Sequence, residues 1–340
     1  MKKILALTPT LLILTIAVGQ DAQYSQFYSN PLYLNPAFAG TANNTRVAVN
    51  HRILWPNLPQ VFSSYSASID YHHDAYNSGF GFLINTEAAG TVDLQTNSGA
   101  FIYSYQLAIT KEFVIRPAIK IGHVIRGFDQ SKLILGDQLD FGGGITSQDP
   151  GLRAFKLKNY WDIGTGILAF TSKYWFGLGV DHLNRANVSL LEGDDQLQIR
   201  YSAHAGGRFI LMSKIPTGTI PATIAPSVLY KRQGNFQQLD IGASIHMQPL
   251  ILGAYYRGIP IISDGFDNIN QDAIIVQAGL EYSGLEIGYS FDIQLSQLDI
   301  VSGGGAHEFS LQYNFHLPWR NRHKPKKKLH CPAFLHGLHN

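Results

Sequence analysis

The sequence predicts an all-β protein: an up-and-down antiparallel outer-membrane β-barrel of about 14 strands, with an N-terminal extension and a basic C-terminal tail. Three observations support this prediction. Only 15% of the 340 residues are charged, apolar and polar residues alternate along most of the chain, and the connections alternate in length. A typical soluble domain has about 25% charged residues, so much of this protein's surface is expected to lie away from water.

Residues 1–19 have the features of a signal peptide. Lys2 and Lys3 precede an apolar stretch, and a small-x-small cleavage site ends at Gly19. The apolar stretch is interrupted by Pro9 and is shorter than the about 20 residues that a spanning helix needs. We therefore expect export from the cytoplasm, with the mature chain beginning near Gln20.

Residues 20–44 form an N-terminal extension that is rich in proline, asparagine and aromatic residues and lacks strand alternation. Asn30-Pro31 and Asn35-Pro36 favour turns, because the residue before a proline is pushed out of helical geometry. Two roles fit such a segment. It can be a plug that packs inside or under the barrel, or an element that docks to periplasmic machinery.

Residues 45–315 are expected to form the transmembrane barrel, because they contain fourteen segments of alternating apolar and polar residues. Their average spacing of about 19 residues suits tilted membrane strands of about 9 to 11 residues, each followed by a connection. The predicted strands begin near Arg46, Ser63, Ser78, Asn97, Phe113, Tyr160, Tyr174, Gln198, Thr223, Phe236, Leu250, Ala273, Leu285 and His307.

The connections differ in length on the two sides of the predicted barrel. Those after odd-numbered strands are mostly long and those after even-numbered strands mostly short, which is typical of an outer-membrane barrel with both termini in the periplasm. The connection from Leu211 to Ala222 is too long for this pattern and that from Arg232 to Asn235 too short. A soluble β-sandwich or solenoid would not require aromatic apolar faces, ten-residue strands or loops that alternate in length.

The polar faces of the strands are expected to face the lumen. Their near-balance of charge favours a packed, neutralised interior over an open aqueous pore, although fourteen strands leave room for a passage unless something plugs it. The residues concerned are Arg46, Arg52, Asp70, Arg116, Lys120, Asp162, Asp181, His204, Arg208, Asp240, Arg257, Glu281, Glu286 and Asp292.

Residues 316–340 form the basic tail, which is expected to be periplasmic. It holds six Lys and Arg, five His and no acidic residue, whereas residues 20–315 hold 18 basic and 24 acidic residues. The cations can be solvated, contact anionic lipid or dock an acidic partner, and nucleic acid is not expected for an exported barrel. Cys331 is the single cysteine, so an intrachain disulfide is impossible.

Catalytic signatures are missing from the sequence. It contains no nucleophile elbow, no H-E-x-x-H and no phosphate-binding loop motif. Asp137 and Asp140 could belong to a calcium loop, but solvated loop residues are the simpler expectation. We therefore expect no catalytic residue, no cofactor and no metal.

Two stretches allow a more specific comparison. The segment QDAQYSQFYSNPLYLNPAFAG begins at Gln20, and the basic tail ends with C-P-A-F from Cys331. They resemble the PorP/SprF family, the type IX secretion system membrane proteins of Bacteroidetes. The resemblance covers nearly the whole chain, although the middle strands match only in pattern. Further similarities are Asn50-His51-Arg52, Trp55-Pro56, Gly136-Asp137-Gln138 and His307-Glu308.

The resemblance implies a barrel of the outer membrane that is not an enzyme. It implies a role in the export or surface anchoring of proteins with C-terminal sorting domains, in secretion and gliding motility. The partners it implies are an exported sorting-domain protein or surface adhesin, and lipoproteins of the periplasmic secretion machinery. The alternative is an outer-membrane channel or porin for small solutes, and a surface enzyme on a barrel scaffold is a further rival.

The N-terminal segment and the basic tail are the candidate sites for docking to this machinery, while the long loops would hold the exported partner. The candidate docking residues are Gln26, Tyr28, Asn30, Pro31, Tyr33, Asn35, Pro36, Phe38, Arg320, Arg322, Lys326, Lys327, Lys328, Cys331 and Phe334.

Overall fold

A computed structural model describes the chain as a closed antiparallel β-barrel, which confirms the predicted fold class. The barrel closes because the last strand pairs with the first, from Thr45 opposite Phe315 to Leu54 opposite Ala306. The described residues are 21–42, 44–58, 62–90, 94–128, 157–190, 193–212, 221–263, 269–295, 303–315 and 329–334.

Fourteen strands lie within these residues, and each one pairs with its neighbours in sequence. Every predicted strand start lies within four residues of an observed one. The strands are β1 (Thr45–Leu54), β2 (Phe62–His73), β3 (Ser78–Ala89), β4 (Leu94–Tyr105, continuing as Leu107–Ala108), β5 (Val114–Gly127), β6 (Lys158–Phe170), β7 (Tyr174–Asp181), β8 (Arg200–Gly207, continuing as Phe209–Met212), β9 (Ala222–Gln233), β10 (Phe236–Met247), β11 (Leu250–Ser263), β12 (Ile269–Tyr282), β13 (Leu285–Gln294) and β14 (Ala306–Phe315).

β4 and β8 are each interrupted by one residue whose side chain is buried. At these points the backbone amide bonds to a neighbouring connection: Gln106 N donates to Asn77 O at 2.7 Å, and Arg208 N to Lys173 O at 2.8 Å. The interruption thus turns two polar side chains towards the lumen while their backbone amides stay paired.

The helical elements that have both ends within the described residues are short turns. One helical turn, α1, spans Pro31–Leu34, and 3-10 turns span Phe27–Ser29, Pro36–Phe38 and Asp74–Tyr76. In the described part of the chain, every helix falls short of the length and apolarity needed to cross a membrane.

The two ends of the barrel differ in their connections. We call the end with the long connections the loop end and the opposite end the turn end. At the turn end, β2–β3, β6–β7, β10–β11 and β12–β13 are joined by at most four residues. At the loop end, the β3–β4 connection is shorter than predicted, because the strands extend to Ala89 and from Leu94.

The two faces of the barrel wall have opposite character. On β3, Phe80, Phe82 and Ile84 point outward and are 36–48% exposed, whereas Leu83 points inward and is buried. Such an apolar exterior suits lipid, where backbone groups find no water and the sheet must close on itself. Of the fourteen residues predicted to face the lumen, thirteen are buried and Glu286 is half-buried.

Candidate functional site

The lumen contains the N-terminal segment, residues 21–42, which we call the plug segment. At the loop end, Asp21 N donates to Gln233 Oε1 at 3.2 Å. At the turn end, Gly40 N donates to Asp70 Oδ2 at 2.7 Å. The chain therefore runs through the length of the lumen before it enters β1 at Thr45.

The periplasmic placement of both termini stays a prediction. The two ends of the described chain, Asp21 and Phe334, lie at opposite ends of the lumen. The reason is electrostatic: the partners of the Asp21 carboxylate, His182 and Arg200, both lie at the loop end. The strands themselves start and finish as predicted, with Thr45 and Phe315 side by side.

The prolines of the plug segment favour turns over a strand, because they lack the amide hydrogen that a sheet ladder needs. Pro31 instead occupies the first turn of α1, and Asn35 Oδ1 accepts from Ala37 N at 2.9 Å to cap the 3-10 turn that begins at Pro36. Compact turns let the segment bury apolar side chains such as Phe27 inside the barrel.

Glycines of the barrel wall make room for the plug segment. A side chain at Gly79 on β3 would overlap Ala39 O, and one at Gly166 on β6 would overlap Asn35 Oδ1. Gly288 on β13 approaches the plug segment in the same way. The wall is therefore shaped to fit its occupant on several sides.

A buried ionic cluster fixes the plug segment at Ser25. Its backbone amide donates to Glu308 Oε2 at 2.6 Å, and its hydroxyl donates to Asp292 Oδ2 at 2.7 Å. Arg52 and Arg257 both bond to the same Asp292 oxygen, at 2.7 and 3.0 Å. Buried charges persist only when they are paired and hydrogen-bonded, and here the plug segment supplies part of the pairing.

A second ionic cluster holds the start of the plug segment. His182 lies between two carboxylates, with Nε2 2.8 Å from Asp21 Oδ2 and Nδ1 2.7 Å from Asp162 Oδ1. Arg200 bonds to Asp21 and to Asp181, both at 2.8 Å.

The charges of this second cluster set the protonation of its members outside the strands. Burial alone would lower the pKa of His182, but attraction to Asp21 and hydrogen bonds to Asp162 and Asp21 raise that pKa to about 10. Burial alone would raise the pKa of Asp21, but His182 and Arg200 bring it well below its usual range. Near neutral pH the imidazolium and carboxylate are both charged, so they form a true ion pair.

At the turn end the plug segment is held mainly by arginines that bond to its backbone. Arg46 pairs with Asp70 at 2.8 Å and also donates to Phe38 O at 3.0 Å. Arg116 donates to Ala39 O at 2.5 Å. These buried carbonyl oxygens accept hydrogen bonds from the guanidinium groups and so offset much of the free-energy cost of burying the arginine charges.

Residues 329–334 of the tail also lie in the lumen, next to the plug segment at the turn end. The Phe334 ring packs edge-on against Phe38, with centroids 5.2 Å apart. Arg208 Nε donates to Pro332 O at 2.7 Å. Cys331 is 2% exposed, and burial raises the pKa of its thiol to about 12, so the thiol is protonated at neutral pH.

The loop-end half of the lumen keeps a cavity of about 720 Å³. Asp21, Gln23 and Tyr33 of the plug segment contribute to its lining, together with residues from most strands. Charged side chains of both signs, amides and aromatic rings share this surface. Among the described residues, no group of three or more His, Cys, Asp and Glu side chains is arranged to hold a metal ion.

The eight N-terminal docking candidates all lie inside the barrel, and so do two from the tail. Tyr28 is half-buried, while Cys331 and Phe334 are buried with the rest. In this arrangement they contact their own barrel, and their docking to a partner stays a prediction. Outside the described residues are the predicted signal peptide at 1–19 and the candidates Arg320, Arg322, Lys326, Lys327 and Lys328.

Ser25, His182 and Glu308 are among the residues that fix the plug segment and that sequence reasoning missed. Glu308 was detectable, because it alternates with Phe309 on the polar face of β14. Ser25 and His182 carry no such signal. Both lie outside the strands, and their partners are distant in sequence.

Several solved structures of outer-membrane proteins are similar to the chain at about 10% identity. The toluene transporter TbuX of Ralstonia pickettii has 10% identity and a TM-score of 0.48, covering 84% of this chain and 93% of that chain. The P. putida toluene transporter TodX has 9% identity and a TM-score of 0.42, covering 85% and 94%. A Pseudomonas aeruginosa FadL homologue has 11% identity and a TM-score of 0.41, covering 83% and 93%.

The family comparison covers most of the sequence. No curated protein matches the chain. Residues 16–313, however, match the family described as type IX secretion system membrane protein PorP/SprF. The match indicates no catalytic family, and together with the barrel it indicates the outer membrane. The chain belongs to the PorP/SprF family of type IX secretion system membrane proteins.

Proposed function

We propose that this protein is a non-catalytic outer-membrane component of the type IX secretion system that supports the export or surface anchoring of proteins with C-terminal sorting domains. The observation that carries the proposal is the occupied lumen. A plug segment fixed by buried ion pairs favours a platform that binds partners at its ends over a conduit for an exported chain. The family membership supplies the secretion system in which the platform acts.

In this proposal the turn end faces the periplasm and the loop end faces the cell surface, because outer-membrane barrels have short periplasmic turns and longer outer loops. The basic tail then leaves β14 on the side of the secretion-machinery lipoproteins. The long loops and the 720 Å³ cavity face the exported sorting-domain protein or adhesin.

The tail is proposed to dock an acidic surface of the periplasmic machinery through its cations. Changing Lys326, Lys327 and Lys328 to Glu tests this while leaving residues 329–334 in place. We expect co-purification of machinery lipoproteins to fall at least about tenfold, since like charges at an interface cost several kcal/mol. A triple change to Gln should have a smaller effect, and unchanged co-purification of the Glu variant would refute the docking role.

Deletion of the gene tests the secretion role itself. We expect sorting-domain proteins to be reduced at the cell surface or in the medium, as measured by quantitative proteomics, and restored by the wild-type gene. An unaltered surface and secreted proteome would refute the proposal.

A channel for small solutes is the competing function, and conductance separates it from the proposal. Inserted into a planar bilayer, the purified barrel should show no large, stable conductance steps, because the plug segment occupies the turn-end half of the lumen. Stable steps in most insertions would favour the channel.

A further inference from the structure

A short piece of the tail enters the barrel although it belongs to no strand. Residues 331–334, which we call the C-terminal hook, turn back on themselves, with Phe334 N donating to Cys331 O at 3.3 Å. All four residues of the C-terminal hook are buried. β14 ends at Phe315, five strands around the ring from β9, whose Thr223 accepts a hydrogen bond from the Arg208 that also binds the C-terminal hook.

Arg208 recognises the backbone of the C-terminal hook. Its Nε donates to Pro332 O at 2.7 Å and its Nη2 to Ala333 O at 3.4 Å, while Nη1 donates to Thr223 Oγ1 at 3.1 Å. All three acceptors are neutral oxygens. A buried guanidinium that lacks hydrogen-bond acceptors is costly in free energy. The two hook carbonyls therefore supply much of the hydrogen bonding that stabilises Arg208 in the lumen.

A second contact recognises the side chain of Phe334. Its ring lies under the guanidinium of Arg46, 4.5 Å from Cζ to the ring centroid, and against Phe38 of the plug segment. Phe38 is in turn stacked on His204, with ring centroids 5.1 Å apart. A cation over an aromatic face is favourable, and more so away from water.

The site is not completely filled by the C-terminal hook. A cavity of about 70 Å³ borders Ala333 and Phe334, with Trp175 and Tyr255 of the wall on its other sides. A peptide with a larger side chain in place of Ala333 therefore has space.

These contacts depend on two successive backbone carbonyls and one aromatic ring, which peptides of many sequences can present. We propose that the turn end of the lumen is a peptide-binding site for a short segment with an aromatic residue directly after two carbonyl acceptors, and that the C-terminal hook occupies this site in cis. The site goes beyond the secretion role proposed above and stands on its own contacts. A peptide of this pattern from another protein would compete with the C-terminal hook and release it.

The single cysteine of the chain reports whether the site is occupied. In the folded full-length protein, Cys331 should react with a maleimide at least about 100-fold more slowly than an exposed cysteine, because labelling requires local opening. Its reference is Lys111→Cys in a Cys331→Ser background, an exposed position at the same end. Phe334→Ala and Arg208→Gln should each speed Cys331 labelling at least about tenfold.

Tyr313→Ala is the matched control, because Tyr313 faces outward on β14 and should leave the Cys331 labelling rate unchanged. Far-ultraviolet circular dichroism and the heat-modifiable gel mobility of each variant establish that the barrel is folded. Labelling of wild-type Cys331 as fast as the exposed reference would overturn the proposal. So would equal rates in wild type and Phe334→Ala.

Direct binding tests the site with a defined ligand. The probe is a fluorescent synthetic peptide, Leu-His-Ser-Pro-Ala-Phe, and its control has alanine in place of phenylalanine. The full-length Phe334→Ala variant should bind the probe at least about tenfold more tightly than wild type does, because its own occupant is weakened. It should bind the control peptide at least about tenfold more weakly than the probe. Equal affinity for the two peptides would overturn the proposal.

Discussion

The plug segment is attached in different ways in the two halves of the lumen. At the loop end, carboxylates pair with cations around a cavity of about 720 Å³, as where His182 bridges Asp21 and Asp162. At the turn end, arginines bond mainly to backbone oxygens, rings stack, and the space beside the C-terminal hook is about 70 Å³. One half is ionic and spacious, and the other is tightly packed.

The difference shows how the barrel accommodates so many buried charges. In the loop-end half, charges of the wall pair largely with each other, so the plug segment adds to networks that already exist. In the turn-end half, Arg116 and Arg208 have as partners the backbones of the two terminal segments. Those segments are therefore part of the folded structure, and removing either would leave buried guanidinium donors without acceptors.

The largest effect is expected from breaking the Ser25 cluster. Arg52→Ala leaves Asp292 and Glu308 with less positive charge, and removal of one partner from a buried pair typically costs about 3–5 kcal/mol. Urea unfolding in liposomes measures the loss. Lys111→Ala at an exposed turn is the control, expected to stay within about 0.5 kcal/mol of wild type. Equal stability of the two variants would contradict the paired-charge account of the loop-end half.

A steric test addresses the tightly packed half. Gly79→Leu places a side chain where Ala39 O lies, so it should displace the plug segment and cost about 1–3 kcal/mol, as overpacking does. Limited chymotrypsin digestion followed by mass spectrometry should detect new cleavage at aromatic residues of the plug segment, such as Phe27 and Phe38. At Gly99, an added Cβ lies 3.8 Å from Phe82 Cζ, so Gly99→Ala should behave as wild type. A Gly79→Leu protein that is as stable as wild type and equally resistant to digestion would count against the packed arrangement.

The outer wall gives a third test, because charged side chains are expected to be tolerated in the lumen and excluded from the lipid-facing exterior. Tyr289 is 37% exposed on the outer face of β13. Tyr289→Asp should impair assembly, with a cost of up to about 2 kcal/mol near the membrane midplane. Tyr289→Phe should assemble normally, and the yield of heat-modifiable barrel in the membrane measures both. Normal yield of the Asp variant would show that the facing assignment is wrong.

The smallest effect is expected at the start of the plug segment. The pKa of His182 is raised from 6.5 to about 10, so its stabilising charge is fully present below about pH 6.5 and is lost as the pH rises through 10. Because Lys120 still pairs with Asp162 and Arg200 with Asp21, His182→Gln should cost only about 1 kcal/mol. Urea unfolding should show this difference in the free energy of unfolding between wild type and variant at pH 6, and a smaller difference at pH 10. A difference that widens with pH would contradict the ion pair.

The barrel was accessible from the sequence because alternation is local: each strand shows its period within about ten residues, and lipid on one face makes the pattern strong. The plug segment was recognised as a distinct segment, but its path was not. Ser25 meets Glu308, 283 residues away, and no periodicity connects positions so far apart. The position of the C-terminal hook was likewise not predictable, since Cys331 and Phe334 follow a highly charged stretch and were assigned with it to the basic tail.

The central claim is that the plug segment lies inside the barrel, and a disulfide tests it most directly. A Cβ at Gly81 on β3 would lie 2.8 Å from Leu32 Cδ1 of the plug segment. With Cys331→Ser, the pair Leu32→Cys and Gly81→Cys should therefore form a bond in intact cells, detected by non-reducing digestion and mass spectrometry. Leu32→Cys with Phe82→Cys, whose side chain faces outward, should not. No bond in the first pair, or equal bonding in both, would contradict the account.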